Sequence, residues 1–223
     1  MLEGIKVYCL DISKINKEKY FLLRTMVPEK RRQLADKFRF IEDSYRSVCA
    51  AMLVKYSLSM NDNCNDDLEF LYNDYGKPYL KNSNAIYFNL SHSGNRVVIA
   101  VAGTEVGIDV EKIQSGLEGT VDTLYTEKEL DYVRSARGRD YDERIVHIWT
   151  MKESYCKFLG LGLSAGLEKF CVDPLEGTVT DKNGIIHGVR ITSLPISDGY
   201  CVSVCGSESV SMVTRLDVDD LLK

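Results

Sequence analysis

Three apolar, β-branched runs, residues 85–91, 97–102 and 106–111, follow one another almost without interruption. Only turn formers stand between them, Ser93-Gly94-Asn95 and Gly103-Thr104. A parallel pair would need a crossover of a dozen or more residues, so the spacing predicts an antiparallel meander in the middle of the chain. The flanking sequence is organised around it. Residues 5–12 read as a strand, Pro28-Glu29-Lys30 as a helix start with proline at the first helical position, and 41–58 as a helix with Val48, Met52 and Tyr56 on one apolar stripe. The polar run 61–67 reads as an exposed loop. Beyond the meander, Thr126-x-x-Glu129 is a capping box, and Asp140-x-x-Glu143 opens a second helix predicted to reach Leu159, where Gly160 stops it. The tail returns to strands, with an Asn183-Gly184 hairpin turn and alternation through Tyr200, Val202 and Val204. Strand, helix and strands thus occur twice over. That order predicts an α+β fold of two similar halves, residues 1–105 and 106–223, packed in one chain and meeting near Gly103 to Val106. No residue-level repeat proves a duplication, and no long linker separates the halves.

With 223 residues, 44% of them hydrophobic, the chain can bury a substantial core. A net charge of −5 argues against a nucleic-acid partner, although basic residues cluster at Lys30-Arg31-Arg32 and Arg137-Gly138-Arg139. The first residues carry no signal-type apolar run, and no stretch approaches the roughly 20 apolar residues of a membrane span. A cytoplasmic protein without membrane association is expected. Seven cysteines, odd in number, scattered and without a C-x-x-C pair, favour neither a disulfide framework nor a zinc site, and read as reduced, mostly buried side chains.

Two stretches carry the chemistry. In Val106-Gly107-Ile108-Asp109-Val110-Glu111, side-chain alternation puts both carboxylates on one face of a strand. An Asp between Ile108 and Val110 needs a partner there, whereas Glu111, beside Lys112 at the strand end, can equally be solvated. In Trp149-Thr150-Met151-Lys152-Glu153-Ser154-Tyr155-Cys156-Lys157, Glu153 and Lys157 are neighbours on one helix face; taken alone they read as a surface ion pair. If the facing elements converge, Asp109, Glu111 and Glu153 supply the oxygen ligands Mg²⁺ prefers, with Lys157 beside a phosphate-bearing substrate. Lys152 falls inside the apolar sector of that helix, so its ammonium must meet an acid or a phosphate, or else snorkel outward. His92 lies where a strand gives way to a small-residue turn, in Phe88-Asn89-Leu90-Ser91-His92-Ser93-Gly94. That turn reads either as a phosphate cradle or as a histidine bonded to local backbone. His147 and His187 receive no role. Phosphate-loop, dinucleotide-binding and hydrolase-elbow glycine motifs are missing from the sequence.

Gly107-Ile108-Asp109-Val110-Glu111, followed some forty residues later by Trp149-Thr150-Met151-Lys152-Glu153-Ser154-Tyr155-Cys156-Lys157, resembles the paired signature of the 4′-phosphopantetheinyl transferases. Pro28-Glu29-Lys30-Arg31, Tyr75-Gly76-Lys77-Pro78 and Phe88-Asn89-Leu90-Ser91-His92-Ser93-Gly94 are similar, in matching order, to the surfactin-synthetase-activating (Sfp-type) branch. The resemblance spans roughly residues 5–205 and implies that branch's pseudo-dimeric fold. It implies an enzyme that transfers 4′-phosphopantetheine from coenzyme A to a serine of an apo acyl or peptidyl carrier protein, releasing adenosine 3′,5′-bisphosphate. By the same resemblance Asp109, Glu111 and Glu153 would hold Mg²⁺, and Lys157, Ser91 and His92 would approach the coenzyme A phosphates. Lys30 would meet the 3′-phosphate, and Gly76 and Lys77 would border the adenine. The family's second lysine is replaced by Gln33, for which Arg31 or Arg32 could substitute.

Phosphoryl transfer asks for positioning and charge neutralisation more than for covalent help from the protein. Lys157 and His92 would supply positive charge, and Glu153, directly or through a metal-bound water, would take the serine proton. A monomer is expected. The carrier would dock beside residues 112–125, where Leu124 and Tyr125 read more simply as core. Two alternatives use the same residues differently: a metal-dependent phosphodiesterase acting on coenzyme A or a nucleotide, and a non-catalytic coenzyme A- or carrier-binding protein. Whether peptide-synthetase, polyketide or fatty-acid carriers are served is left open.

Overall fold

A computed structural model describes residues 2–60, 70–81, 86–195 and 198–223. The predicted 61–67 loop and Ala85, the first residue of a predicted strand, lie outside the described residues. The first half runs β1 (Ile5–Asp11), α1 (Lys17–Met26), α2 (Glu29–Ala35), α3 (Ile41–Ser59), β2 (Phe70–Tyr72), β3 (Pro78–Leu80), β4 (Tyr87–Ser93) and β5 (Arg96–Ala102). The second runs β6 (Val106–Lys112), α4 (Glu118–Val121), α5 (Glu127–Arg134), α6 (Arg139–Leu159), β7 (Cys171–Val172), β8 (Val179–Asp181), β9 (Gly184–Ile185), β10 (Arg190–Leu194), β11 (Tyr200–Gly206) and β12 (Val210–Asp217). Short 3₁₀ turns cover Gly162–Ala165, Leu167–Lys169 and Val218–Leu222.

The two halves repeat one plan. In the first, β5 lies between β1 and β4, antiparallel to both; in the second, β11 lies between β6 and β10, again antiparallel to both. Each sheet carries a long helix on its outer face, α3 against Val97, Ile99 and Val101, and α6 against Cys205 and Ile191. The inner faces meet in a third core, where Val7, Cys9, Val98 and Ala100 of the first sheet pack on Ile108, Val110, Val202 and Val204 of the second. Helix, sheet, sheet and helix are therefore stacked, which agrees with the expected α+β fold of two similar halves.

The meander is corrected. β4 and β5 form the expected hairpin, but β6 leaves for the second sheet and pairs with β11. β5 already has β1 and β4 on its two edges, so no edge remains for β6. One element departs from a division at 105/106: β12 returns to the first sheet and runs parallel to β1, pairing Lys6 with Met212 through Asp11 with Asp217.

Helix ends follow the sequence closely, with shifts that have simple causes. Pro28 is the N-cap of α2 rather than its first residue. α6 starts one residue before Asp140, after Gly138 at φ 58°, so Asp140 lies in the first turn, where a carboxylate meets the positive end of the helix. Gly160 ends α6 at φ 69°, in the left-handed region that favours glycine. α1, which the sequence reading passed over, is opened by Asn16, whose side chain accepts from the Lys19 amide. The 183–184 hairpin joins β8 to β9, with Lys182 and Asn183 at its tip. All described cysteines are free, and burial pushes the thiols of Cys9, Cys49, Cys156 and Cys201 up to about 12. Among the described residues no helix is long and apolar enough to cross a membrane.

Candidate active site

β4 and β6 are the facing edge strands of the two sheets, and side chains rather than backbone ladders join them. Because alternate residues share a strand face, Asn89, Ser91 and Ser93 all point one way from β4. Asn89 Oδ1 accepts from the Ile108 amide at 2.9 Å, Ser91 Oγ donates to Asp109 Oδ1 at 2.8 Å, and Ser93 Oγ donates to Glu111 Oε2 at 2.7 Å. The Lys112 amide donates back to Ser93 Oγ at 3.2 Å. The sequence reading missed Asn89 and Ser93. Their signal was the period-two polar pattern through Asn89, Ser91 and Ser93 within an otherwise apolar strand.

α6 closes the site from the second half. Lys157 Nζ donates to Asp109 Oδ1 at 2.7 Å and to Ser91 Oγ at 2.8 Å, forming a triangle across the seam between the halves. The close approach of α6 depends on Gly107: a Cβ there would overlap the Ser154 carbonyl oxygen and the Phe158 amide. Glu153 lies one turn before Lys157, so the helix delivers a carboxylate and an ammonium to the same place.

Negative charge is in excess. Burial, and then the neighbouring Asp109 carboxylate, push the Glu153 carboxyl above its usual range. Burial raises Glu111 as well, against the pull of the Ser93 hydroxyl. Asp109 is 3% exposed, and its Oδ2, like Glu153 Oε1, is buried without a hydrogen-bond partner. A buried, unpaired carboxylate oxygen is costly and calls for a cation or a proton. Among the described residues no three acidic, histidine or cysteine side chains are drawn together closely enough to hold a metal as they stand. Mg²⁺, however, needs only one or two carboxylates when phosphate oxygens and water complete its shell. The two orphaned oxygens fit that requirement.

The structure brings Ser91, Asp109, Glu153 and Lys157 together, with Glu111 beside them. It does not bring in every residue singled out from the sequence. His92 follows Ser91 and so projects from the opposite face of β4, where it is exposed; partial burial and the Arg46 charge on α3 pull its imidazole below the ordinary range. Arg46 itself, another residue the sequence reading missed, donates to the Gly94 carbonyl at 3.0 Å. Lys77 turns its ammonium to Glu105 at 2.7 Å and to the Val106 and Phe158 carbonyls at 3.3 Å. Gly76 sits beside it in the Asn73–Lys77 turn, at φ 85° with open space around it. That turn is anchored on the end of α6, where Asn73 Nδ2 donates to the Gly160 carbonyl at 2.8 Å. Lys30 is exposed on α2, whose Arg32 and Gln33 both turn to Glu29. Lys152, expected to need an acid or a phosphate, meets the acid Glu129 at 2.8 Å inside the second core. Tyr125 is buried, with its hydroxyl on the Ile145 carbonyl, and Leu124 packs on the same core, in accord with the simpler reading of both.

Comparison with known proteins agrees over nearly the whole chain. Residues 105–205 match the family model of the 4′-phosphopantetheinyl transferase superfamily, and residues 14–104 match the model of the 4′-phosphopantetheinyl transferase N-terminal region. Similar proteins include the 4′-phosphopantetheinyl transferase gsp of Aneurinibacillus migulanus, 28% identical over 94% of this chain and 90% of its own. The 4′-phosphopantetheinyl transferases ffp of Bacillus subtilis and Sfp of Bacillus subtilis strain 168 are 27% and 26% identical, each over 94% of this chain and 98% of their own.

Proposed function

Because this chain belongs to the 4′-phosphopantetheinyl transferase superfamily, in its Sfp-type branch, we propose that it transfers the 4′-phosphopantetheine arm of coenzyme A to a serine of an apo carrier protein. The acceptor is an acyl or a peptidyl carrier. The serine oxygen attacks the pantetheine-side phosphorus, the bridging P–O bond of the pyrophosphate breaks, and adenosine 3′,5′-bisphosphate leaves with the bridging oxygen. The observation that carries this reading is the seam itself: Ser91 from one half and Asp109 and Lys157 from the other meet within 2.8 Å, beside the buried, unpaired oxygens of Asp109 and Glu153.

Asp109, Glu111 and Glu153 would hold Mg²⁺, which when bound supplies positive charge to the pyrophosphate. Lys157, now neutralising Asp109, is free to shift its ammonium toward a phosphate oxygen once that carboxylate has another cation. Ser91 would meet the phosphates at the seam, and His92 would meet them from the opposite face of β4, on the side of Arg46. Glu153, directly or through a metal-bound water, is the base that takes the serine proton. Lys30 would meet the 3′-phosphate, helped by Arg31, since Arg32 and Gln33 are engaged by Glu29. Gly76 and the backbone of Lys77 would border the adenine, Gly76 by the open surface around it. A monomer suffices because one chain contributes both sides of the seam, and the free cysteines suit a reducing cytoplasm. The relatives described above are named as transferases, which favours neither the hydrolytic nor the non-catalytic alternative.

The test is intact mass spectrometry of an apo peptidyl and an apo acyl carrier incubated with the protein, Mg²⁺ and coenzyme A. A phosphopantetheine mass gain on the carrier serine, lost with EDTA, is the expected result. Coenzyme A breakdown without any gain on a carrier would overturn it.

A further inference from the structure

The turn that joins β4 to β5 is held from both halves of the chain. Arg46 of α3 donates to the Gly94 carbonyl at 3.0 Å, and the Ile12 amide donates to the Asn95 carbonyl at 3.0 Å. Both come from the first half. The Asn95 amide donates to the Tyr200 hydroxyl oxygen at 3.0 Å, and Tyr200 is the first residue of β11, in the second sheet. Gly94 lies at φ 52°, and a Cβ there would overlap that same hydroxyl oxygen. The turn therefore meets a side chain of the other half at a place where glycine leaves the room.

Tyr200 is itself firmly placed. It is buried, its ring packs in the core between the sheets, and the Arg96 guanidinium lies over that ring at 5.1 Å. Arg96 is held in turn by Asp11 at 2.7 Å and Asp198 at 3.4 Å. In the β6–β11 ladder Tyr200 stands opposite Lys112, next to Glu111. The residue before Gly94 is Ser93, which donates to Glu111 Oε2 at 2.7 Å and accepts from the Lys112 amide at 3.2 Å. A ring of contacts thus closes across the seam, from Glu111 through Ser93 and the turn to Tyr200, and back through the ladder to Lys112. Carboxylates that bind a metal depend on hydrogen-bonded supports of this kind, and losing a support weakens metal affinity.

We propose that Tyr200 is a positioning residue for the transfer reaction: its hydroxyl holds the β4–β5 turn, the turn holds Ser93, and Ser93 sets the direction of the Glu111 carboxylate. The proposal rests on the reading above in which Glu111 helps to hold Mg²⁺. Because the effect reaches Glu111 through Ser93, removing the tyrosine hydroxyl matters only while the Ser93 hydroxyl is present.

The test is a cycle of Tyr200→Phe, Ser93→Ala and the double variant. The dissociation constant for Mg²⁺ is measured by calorimetry without carrier, so that no turnover is needed, with thermal melting as a folding control. Expected is a constant raised about three- to tenfold in Tyr200→Phe, raised at least as far in Ser93→Ala, and raised no further in the double variant than in Ser93→Ala. Gly94→Ala, which pushes the turn off the same hydroxyl while leaving the tyrosine in place, should weaken Mg²⁺ binding as well. A lower melting temperature with unchanged Mg²⁺ affinity in Tyr200→Phe, single effects that add in full, or a wild type that binds no Mg²⁺ would each overturn the proposal. The expected shifts in Mg²⁺ affinity without any phosphopantetheine mass gain on a carrier would count against the transferase reading alone.

Discussion

Lys152 and Glu129 form an ion pair at 2.8 Å in which neither side chain has any solvent exposure. The ammonium also donates to the Leu167 and Phe170 carbonyls and lies over the Phe170 ring, while Glu129 accepts from the Thr126 and Val172 amides. The pair thus ties α5, α6 and the chain entering β7 together, one residue before Glu153. Desolvation lowers the lysine and Glu129 holds it up. Glu129→Leu leaves a buried charge alone and should cost about 3–5 kcal/mol in urea denaturation. Glu129→Leu with Lys152→Met should recover much of that loss. A double variant as unstable as the single one would contradict a simple pair.

Glu153→Gln keeps the shape of the side chain and removes its charge. Turnover should fall by roughly 10²–10⁴-fold, while coenzyme A binding, followed by calorimetry, remains measurable. Near-normal turnover would sink the assignment of Glu153 as base.

The raised carboxyls of Glu111 and Glu153 make a signed prediction about pH. The folded state holds these protons more tightly than the unfolded chain, whose carboxyls titrate near 4.5. At neutral pH the buried charges therefore count against folding, and that penalty fades as pH falls through the raised folded values. Mg²⁺ relieves the same penalty by binding the folded state. Its addition should raise the melting temperature at about pH 8 and lose its effect as the carboxylates protonate. A shift of equal size at both extremes would mean the cation binds elsewhere.

Gly107→Ala adds only a methyl group, but directly between β6 and α6. The helix must move outward, carrying Glu153 and Lys157 away from Asp109. We expect a loss of about 1–3 kcal/mol in stability and a larger proportional loss in turnover than in coenzyme A affinity. A helix that tolerates the methyl would leave both unchanged.

Local sequence rules located most elements because those elements are fixed by local chemistry. The Thr126 and Glu129 capping box opens α5, Gly160 ends α6, and turn residues frame the β4–β5 hairpin. Alternation placed Asp109 and Glu111 on one strand face, and helical spacing placed Glu153 with Lys157. Partnership across the chain was less legible. Nothing local to residues 106–111 says that β5 has no edge left for them, because that depends on β1, nearly a hundred residues earlier. The acid that answers Lys152 was visible as a helix cap and not as its partner, since one carboxylate, Glu129, does both jobs through its two oxygens. Ser91 and His92, adjacent in sequence and both assigned to the coenzyme A phosphates, leave β4 on opposite faces, as strand alternation requires.

The parallel pairing of β12 with β1 sets an order on synthesis. β1 is flanked by β5, about ninety residues further along, and by residues 210–217, about two hundred further along. An edge of β1 therefore stays open until β12 has been made, and the first sheet cannot mature as a free-standing unit ahead of the second. The first sheet is thus closed by a strand that follows every strand of the second, a long-range pairing that slows its completion relative to a half that folds by itself.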